Sequence, residues 1–255
     1  MKLKEKGIII SLLSIVFNLN AQSEEVYRIA NDSTTKRSNT NYEEFIIPAV
    51  LIGYGAIGTQ NGGLKGFDLK VKRNIGDFSN KQIKIDDYIQ YAPALSVYFL
   101  NNIGIEGKNN FRDRTIILAT STMIMGGVIT GLKYTTGIER PDGSKNNSFP
   151  SGHTALAFAG AEFLFQEYKE VSFWYGFSGY IVATATGIFR IYNDRHWLTD
   201  VIAGAGIGIL STKLAYLIYP YLQNKVFKFK DDKKAAALLP FYNGKEVGAS
   251  FGMTF

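Results

Sequence analysis

Pro150-Ser151-Gly152-His153 runs straight into Thr154-Ala155-Leu156-Ala157-Phe158-Ala159-Gly160-Ala161, and the reading of this junction decides the fold. Serine is a favoured helix N-cap, and the apolar run behind it has the composition of a buried helix, so a helix is expected to open at Ser151-Gly152. Working outward, four more apolar stretches read as helices. The five are 88–105, 115–132, 154–168, 173–189 and 201–222. The second carries 18 residues without a charge between Arg114 and Lys133, and the fourth 17 between Ser172 and Arg190. A membrane span needs about 20 such residues, with roughly 17 at the lower edge. A soluble helical domain fits runs of this length as well; membrane embedding is the expectation. Gly127 with Gly131, and Gly204 with Gly208, have the spacing that lets helices approach closely.

The polar residues sit between these helices in a telling order. The stretch from Lys133 to Arg140-Pro141 follows the second helix, Pro150-Ser151-Gly152-His153 opens the third, and Arg190 to Asp200, with His196, joins the fourth to the fifth. If neighbouring helices are antiparallel, all three clusters meet at one end of the bundle. His153 and His196 are the only histidines in the chain. A histidine can attack phosphorus or protonate a leaving oxygen near neutral pH, and the flanking cations can hold an anionic substrate.

Lys133-x6-Arg140-Pro141, Pro150-Ser151-Gly152-His153 and Arg190-x5-His196-x3-Asp200 together resemble the three-part signature of the type 2 phosphatidic acid phosphatase (PAP2) superfamily, which includes bacterial acid phosphatases and vanadium haloperoxidases. With the supporting helices the resemblance covers residues 88–222. It implies an all-α bundle of five to six helices, expected here to be membrane-embedded, and hydrolysis of a phosphate ester; no metal or cofactor is expected. One position departs from the pattern: the family has Ser or Thr before the third-motif arginine, and this chain has Phe189.

Chemistry suggests a role for each residue. Lys133, Arg140 and Arg190 can neutralise a phosphate, the arginines by bidentate contact. Each alone would be read as a surface cation. Ser151 and Gly152 at a helix start offer backbone N–H groups and the positive end of the dipole, while Ser151 can also simply cap the helix. As the resemblance implies, His196 is the nucleophile, forming a phosphohistidine, and His153 protonates the leaving oxygen. Asp200, at i+4 from His196, would lie beside the imidazole on a helix and orient it. The mechanism needs a neutral His196 and a protonated His153.

Composition bounds the alternatives. No cysteine is present, which excludes disulfides and thiolate chemistry. Two well-separated histidines without a dense carboxylate cluster do not make a metal centre, and no basic helix or nucleic-acid motif appears. Lys2, Lys4 and Lys6 precede an apolar run over 7–19, with a cleavage point at Ala21-Gln22, the pattern of an export signal. Its removal takes three lysines and Glu5, and the net charge falls from +6 to +4. The expected organisation is a signal over 1–21, a polar extension with a short buried or interfacial apolar segment over 22–87, the phosphatase-like domain over 88–222 and a basic tail over 223–255. Alternation of Val247, Ala249, Phe251, Met253 and Phe255 suggests a short strand. An exported protein in the inner membrane, its motifs facing the periplasm and its substrate a lipid phosphate or diphosphate, is the favoured reading. Candidate lipids are phosphatidate, phosphatidylglycerophosphate, undecaprenyl diphosphate and lipid A. A soluble periplasmic acid phosphatase is the runner-up, ahead of a haloperoxidase or a non-catalytic envelope protein. Oligomeric state is left open.

Overall fold

A computed structural model describes residues 42–76, 84–227, 236–242 and 247–253, so the expected export signal lies outside the described residues. After a 3-10 turn at Tyr42–Phe45, eight α-helices follow. They are α1 (Ile46–Gly58), α2 (Gly62–Gly76), α3 (Asp86–Ile89), α4 (Ala92–Asn102), α5 (Phe111–Thr136), α6 (Gly152–Tyr168), α7 (Phe173–Tyr192) and α8 (Leu198–Tyr221). The bundle falls within one compact unit that runs to Ala215. A second unit, from Tyr216, holds the end of α8, a π-helical turn at Leu222–Phe227 and two strands. Strands β1 (Ala236–Tyr242) and β2 (Val247–Met253) pair antiparallel, with Leu239 opposite Ser250. The strand expected from the C-terminal alternation is thus one arm of a hairpin.

Four of the five expected helices are present as single helices, and three regions fold differently from their reading. The single helix expected over 88–105 is two, α3 and α4, parted at Gln90 and Tyr91. Pro93 stands at the start of α4, where its missing N–H costs nothing but where no helix can run through from before. The short apolar segment containing Pro48 is helix α1: the proline occupies its first turn, and the glycines are contact points. A Cβ on Gly55 would lie 2.5 Å from Ala203 Cβ on α8. The polar stretch after it forms α2.

Helix α6 is the axis of the bundle. Ala155, Ala157, Ala159 and Ala161 are buried, with Phe163, Leu164 and Tyr168 behind them, and α4, α5 and α7 pack around it. Helix α8 crosses it on glycines. A Cβ on Gly204 would stand 2.5 Å from the Ser151 carbonyl, and one on Gly208 would strike the Ala155 carbonyl. The Gly127 and Gly131 pair behaves otherwise, since beyond its own helix backbone nothing lies within 4 Å of an added Cβ. Glu162, buried on α6, is held by Lys213 at 2.9 Å, by the amide of Gln166 at 2.6 Å and by the Tyr180 hydroxyl, so this interior charge is fully paired.

Among the described residues, α5 and the helix beginning at Leu198 are long and apolar enough to cross a membrane. The most apolar window of α5 is only 22% buried. In water such a helix would turn that face inward; here Met123 and Val128 face outward, as do Trp174, Ile181 and Ile188 on α7. Its 26 residues reach about 39 Å at 1.5 Å each, more than a hydrocarbon core of about 30 Å. This is the surface of a membrane protein, whose apolar side chains are solvated by lipid.

Candidate active site

All three motifs lie at one end of the bundle, where α5 and α7 end and α6 and α8 begin. Gly137, in the left-handed conformation at φ 58°, stops α5 and turns the chain into the 138–150 loop. That loop is tied down from several sides. Lys133 Nζ donates to the Asn147 carbonyl at 2.6 Å, and Arg140 Nε to the Asn147 side-chain oxygen at 3.0 Å, so one asparagine gathers both cations. Ser148 N–H donates to the Ile138 carbonyl at 2.8 Å.

Helix α6 opens as expected. Ser151 is its N-cap, with Oγ accepting from Thr154 N–H at 3.5 Å and lying 2.9 Å from Thr154 Oγ1. Its own N–H donates to the Asp200 carbonyl at 3.0 Å, and the residue is buried. Ser151 therefore fixes the helix start, and the first-turn N–H groups of Gly152 and His153 are the ones left to meet an anion.

At the far side, Asp194 adopts φ 55°, and this left-handed turn after α7 brings Arg195 N–H back to the Arg190 carbonyl at 3.0 Å. The chain so reversed places His196 in the turn before α8, not on it. Asp200 is in the first turn of α8, and the pair still meets: His196 Nδ1 and Asp200 Oδ2 stand 3.6 Å apart, both residues buried. The same oxygen accepts from Ser148 Oγ at 2.5 Å and from Trp197 N–H at 2.9 Å, which caps the helix and fixes the carboxylate. Burial pushes His196 down to about 4, with Asp200 opposing, so its imidazole is neutral near pH 7. With Nδ1 turned to Asp200, Nε2 is the nitrogen left for chemistry.

Arg190, buried, donates from Nη1 to Asp86 Oδ2 at 2.6 Å and lies 3.5 Å from Asp87 Oδ1. Asp87 Oδ1 also sits 3.0 Å from His153 Nε2. Asp86 and Asp87 form the first turn of α3, a part of the site that the sequence reading passed over inside a polar stretch. The visible signal was an acidic pair immediately ahead of an apolar helix. A cavity of about 150 Å³ opens here, lined by Arg140, Arg190, Arg195 and Lys84 together with the two aspartates. Burial, then the neighbouring Arg190, draws Arg140 below its ordinary value, with Asp142 opposing.

Helix α2 supplies two further residues that the sequence did not single out. Buried Asp68 accepts from Thr199 Oγ1 at 2.7 Å and from its N–H at 3.2 Å, anchoring the start of α8. Lys72 donates to the Pro141 carbonyl at 2.5 Å and lies over the Trp197 ring at 5.6 Å, joining the first and third motifs. A second cavity, about 380 Å³, runs between α2 and the start of α8, past Leu69, Ile138 and Trp197 to Asp200. Among the described residues no cluster of His, Asp or Glu has a metal-binding arrangement.

A helical bundle with outward apolar faces that brings three sequence-distant clusters to one end, where Arg140 and Arg190 line a cavity, is that of a membrane protein. Residues 114–224 match the model of the PAP2 superfamily. It is 43% identical over 136 residues to the lipid A 1-phosphatase of Porphyromonas gingivalis, covering 53% of this chain and 31% of that protein. Over 77 residues it is 38% identical to the bacitracin transport permease protein BcrC of Bacillus licheniformis, covering 30% of this chain and 36% of the relative. The chain thus spans about a third of the length of these two relatives. Among solved structures, Aquifex aeolicus LpxE superposes with a TM-score of 0.46 at 23% identity, over 58% of this chain and 94% of that one.

Proposed function

We propose that this chain is a phosphatase that removes a phosphate from a lipid phosphate or diphosphate through a phosphohistidine. The observation that carries the reading is the buried His196–Asp200 pair within the field of Arg190 and Lys133, at the end of a bundle whose sides are apolar. Arg140, Arg190 and Lys133, with the N–H groups of Gly152 and His153, hold the phosphoryl oxygens. His196 Nε2 attacks phosphorus as the ester P–O bond breaks, and His153 gives its proton to the departing lipid oxygen. Asp200 stabilises the imidazolium so formed. Water then attacks the phosphohistidine, losing a proton to His153; inorganic phosphate leaves, and both histidines return to their starting states. Cations against the phosphoryl oxygens suit a transition state whose charge spreads over those oxygens.

Three features favour a lipid over a soluble ester: the outward apolar faces of α5 and α7, the apolar lining of the larger cavity, and the name of the Porphyromonas gingivalis relative. Lys108, Arg112 and Arg114 lie around the end of the bundle away from the motifs, where Lys108 N–H donates to the Glu167 carbonyl near the end of α6. Such a cationic end belongs on the cytoplasmic side, which supports an exported protein in the inner membrane whose active site faces the periplasm. Phosphate release by the full chain in detergent from lipid A, phosphatidate, phosphatidylglycerophosphate and undecaprenyl diphosphate, beside a soluble monoester, tests the reading. Release from at least one lipid, lost in His196→Ala, is expected. Preference for the soluble ester would move the assignment to an acid phosphatase, and full activity in His196→Ala would overturn it.

A further inference from the structure

The two histidines face opposite electrostatic demands, and the residues of the three motifs meet only one of them. His196 must be neutral to attack, and burial makes it so. His153 must carry a proton to the leaving oxygen, yet burial and then the adjacent Arg190 both pull it below its ordinary value. The opposing groups are the carboxylates of α3, with Asp87 in contact and Asp86 behind it. The facing groups are thus Arg190 from α7 and Asp86 and Asp87 from α3, and Asp87 alone among them touches the imidazole, at 3.0 Å from Nε2.

We propose that Asp87 is the positioning partner of His153, gripping Nε2 so that Nδ1 faces the leaving oxygen, as Asp200 turns Nε2 of His196 toward phosphorus. The inference rests on the phosphatase reading for its kinetic consequence, but its geometry stands apart from it. Each histidine then has its own carboxylate, on opposite ring nitrogens, and the two rings present opposite edges to one substrate. Placement on α3 accounts for the division of labour between neighbours. Asp86 is buried and grips Arg190 at 2.6 Å and Asn193 Nδ2 at 3.1 Å, while Asp87, half exposed, reaches over Arg190 to the imidazole. A carboxylate in contact with a cationic acid raises the pH at which the proton is lost, at other sites by about 1–3 units. Because the Asp87 side chain is 49% exposed, the lower end of that range applies.

The test is Asp87→Asn in the full chain in detergent micelles, with two readouts. The first is the titration of the His153 ring by NMR, which needs no substrate and is simplified by a chain with two histidines. The midpoint should fall by about 1 pH unit relative to wild type. The second is kcat/KM for a lipid phosphate and for 4-nitrophenyl phosphate, whose leaving group departs without a proton. The basic limb should move down with the titration, and activity should fall about tenfold on the lipid and less than threefold on the nitrophenyl ester. Asp87→Glu, which keeps the charge, should restore both; its titration also serves if Asp87→Asn does not fold, an unchanged midpoint being expected. A midpoint unmoved in Asp87→Asn overturns the inference, as does an equal loss on both esters. So does a lower KM with an unmoved limb, which would make Asp87 a mere occupant of the anion site. Wild type that releases no phosphate would sink the phosphatase reading, and the His153 titration would still decide this one.

Discussion

Gly204→Ala probes the link between the packing of the bundle and the chemistry at its end. The added Cβ would sit 2.5 Å from the Ser151 carbonyl oxygen, where ordinary contact begins at 3.4 Å, so α6 and α8 must part by about 0.9 Å. Backbone lies on both sides, and neither can swing away as a side chain would. The parting acts at the helix start that carries His153, and it takes the 3.0 Å bond from Ser151 N–H to the Asp200 carbonyl out of range. Overpacking of this kind costs about 1–3 kcal/mol, and a displacement near 1 Å between reacting groups costs roughly 100-fold in rate. Thermal unfolding of the detergent-solubilised chain and phosphate release from a lipid phosphate measure the two effects. Gly127→Ala is the control, because its Cβ meets nothing within 4 Å; there the gain in helix propensity, up to about 1 kcal/mol, should appear with activity unchanged. Gly204→Ala with wild-type stability and activity within twofold would refute the coupling of this crossing to the site.

The pH dependence of kcat/KM should be a bell displaced to the acid side of neutral. Its acid limb reports protonation of His196, which burial holds near 4, and its basic limb reports loss of the proton from His153, lowered from 6.5. Activity flat from pH 4 to pH 9 would contradict those assignments. Asp86→Asn should keep the shape of the buried contact while removing the charge that fixes Arg190. A charged hydrogen bond of this kind contributes about 1.5–3 kcal/mol, so kcat/KM should fall roughly 10- to 150-fold while the basic limb moves less than in Asp87→Asn. A basic limb that moves more in Asp86→Asn would mean that the two aspartates have been given each other's roles.

The bundle and much of its site were legible in the sequence because they rest on local signals. An uncharged run of 18 residues, a Ser-Gly start and a Gly204/Gly208 pair each reports its own surroundings. The same signals misled where contact is set by distant chain. Gly127 and Gly131 have the spacing of a packing pair but face outward, since nothing in sequence says which side of α5 meets protein. Asp68, Lys72, Asp86 and Asp87 lie in a polar stretch without a motif, and their roles come from partners that are far off in sequence: Thr199, Pro141, Arg190 and His153. The His196–Asp200 pair was expected from helical i,i+4 spacing. It forms instead across a helix start, through the turn at Asp194 and the capping of Trp197 N–H.

Phosphohistidine formation is the central claim, and trapping it is the direct measurement. Full-length protein mixed with a lipid phosphate labelled with 32P at the scissile group should be quenched within its first turnover, then analysed for protein-bound label. The label should be stable in alkali, labile in acid, carried on the peptide containing His196, and absent from His196→Ala. Rapid phosphate release by wild type with no label at His196, or label that persists in His196→Ala, would contradict the account.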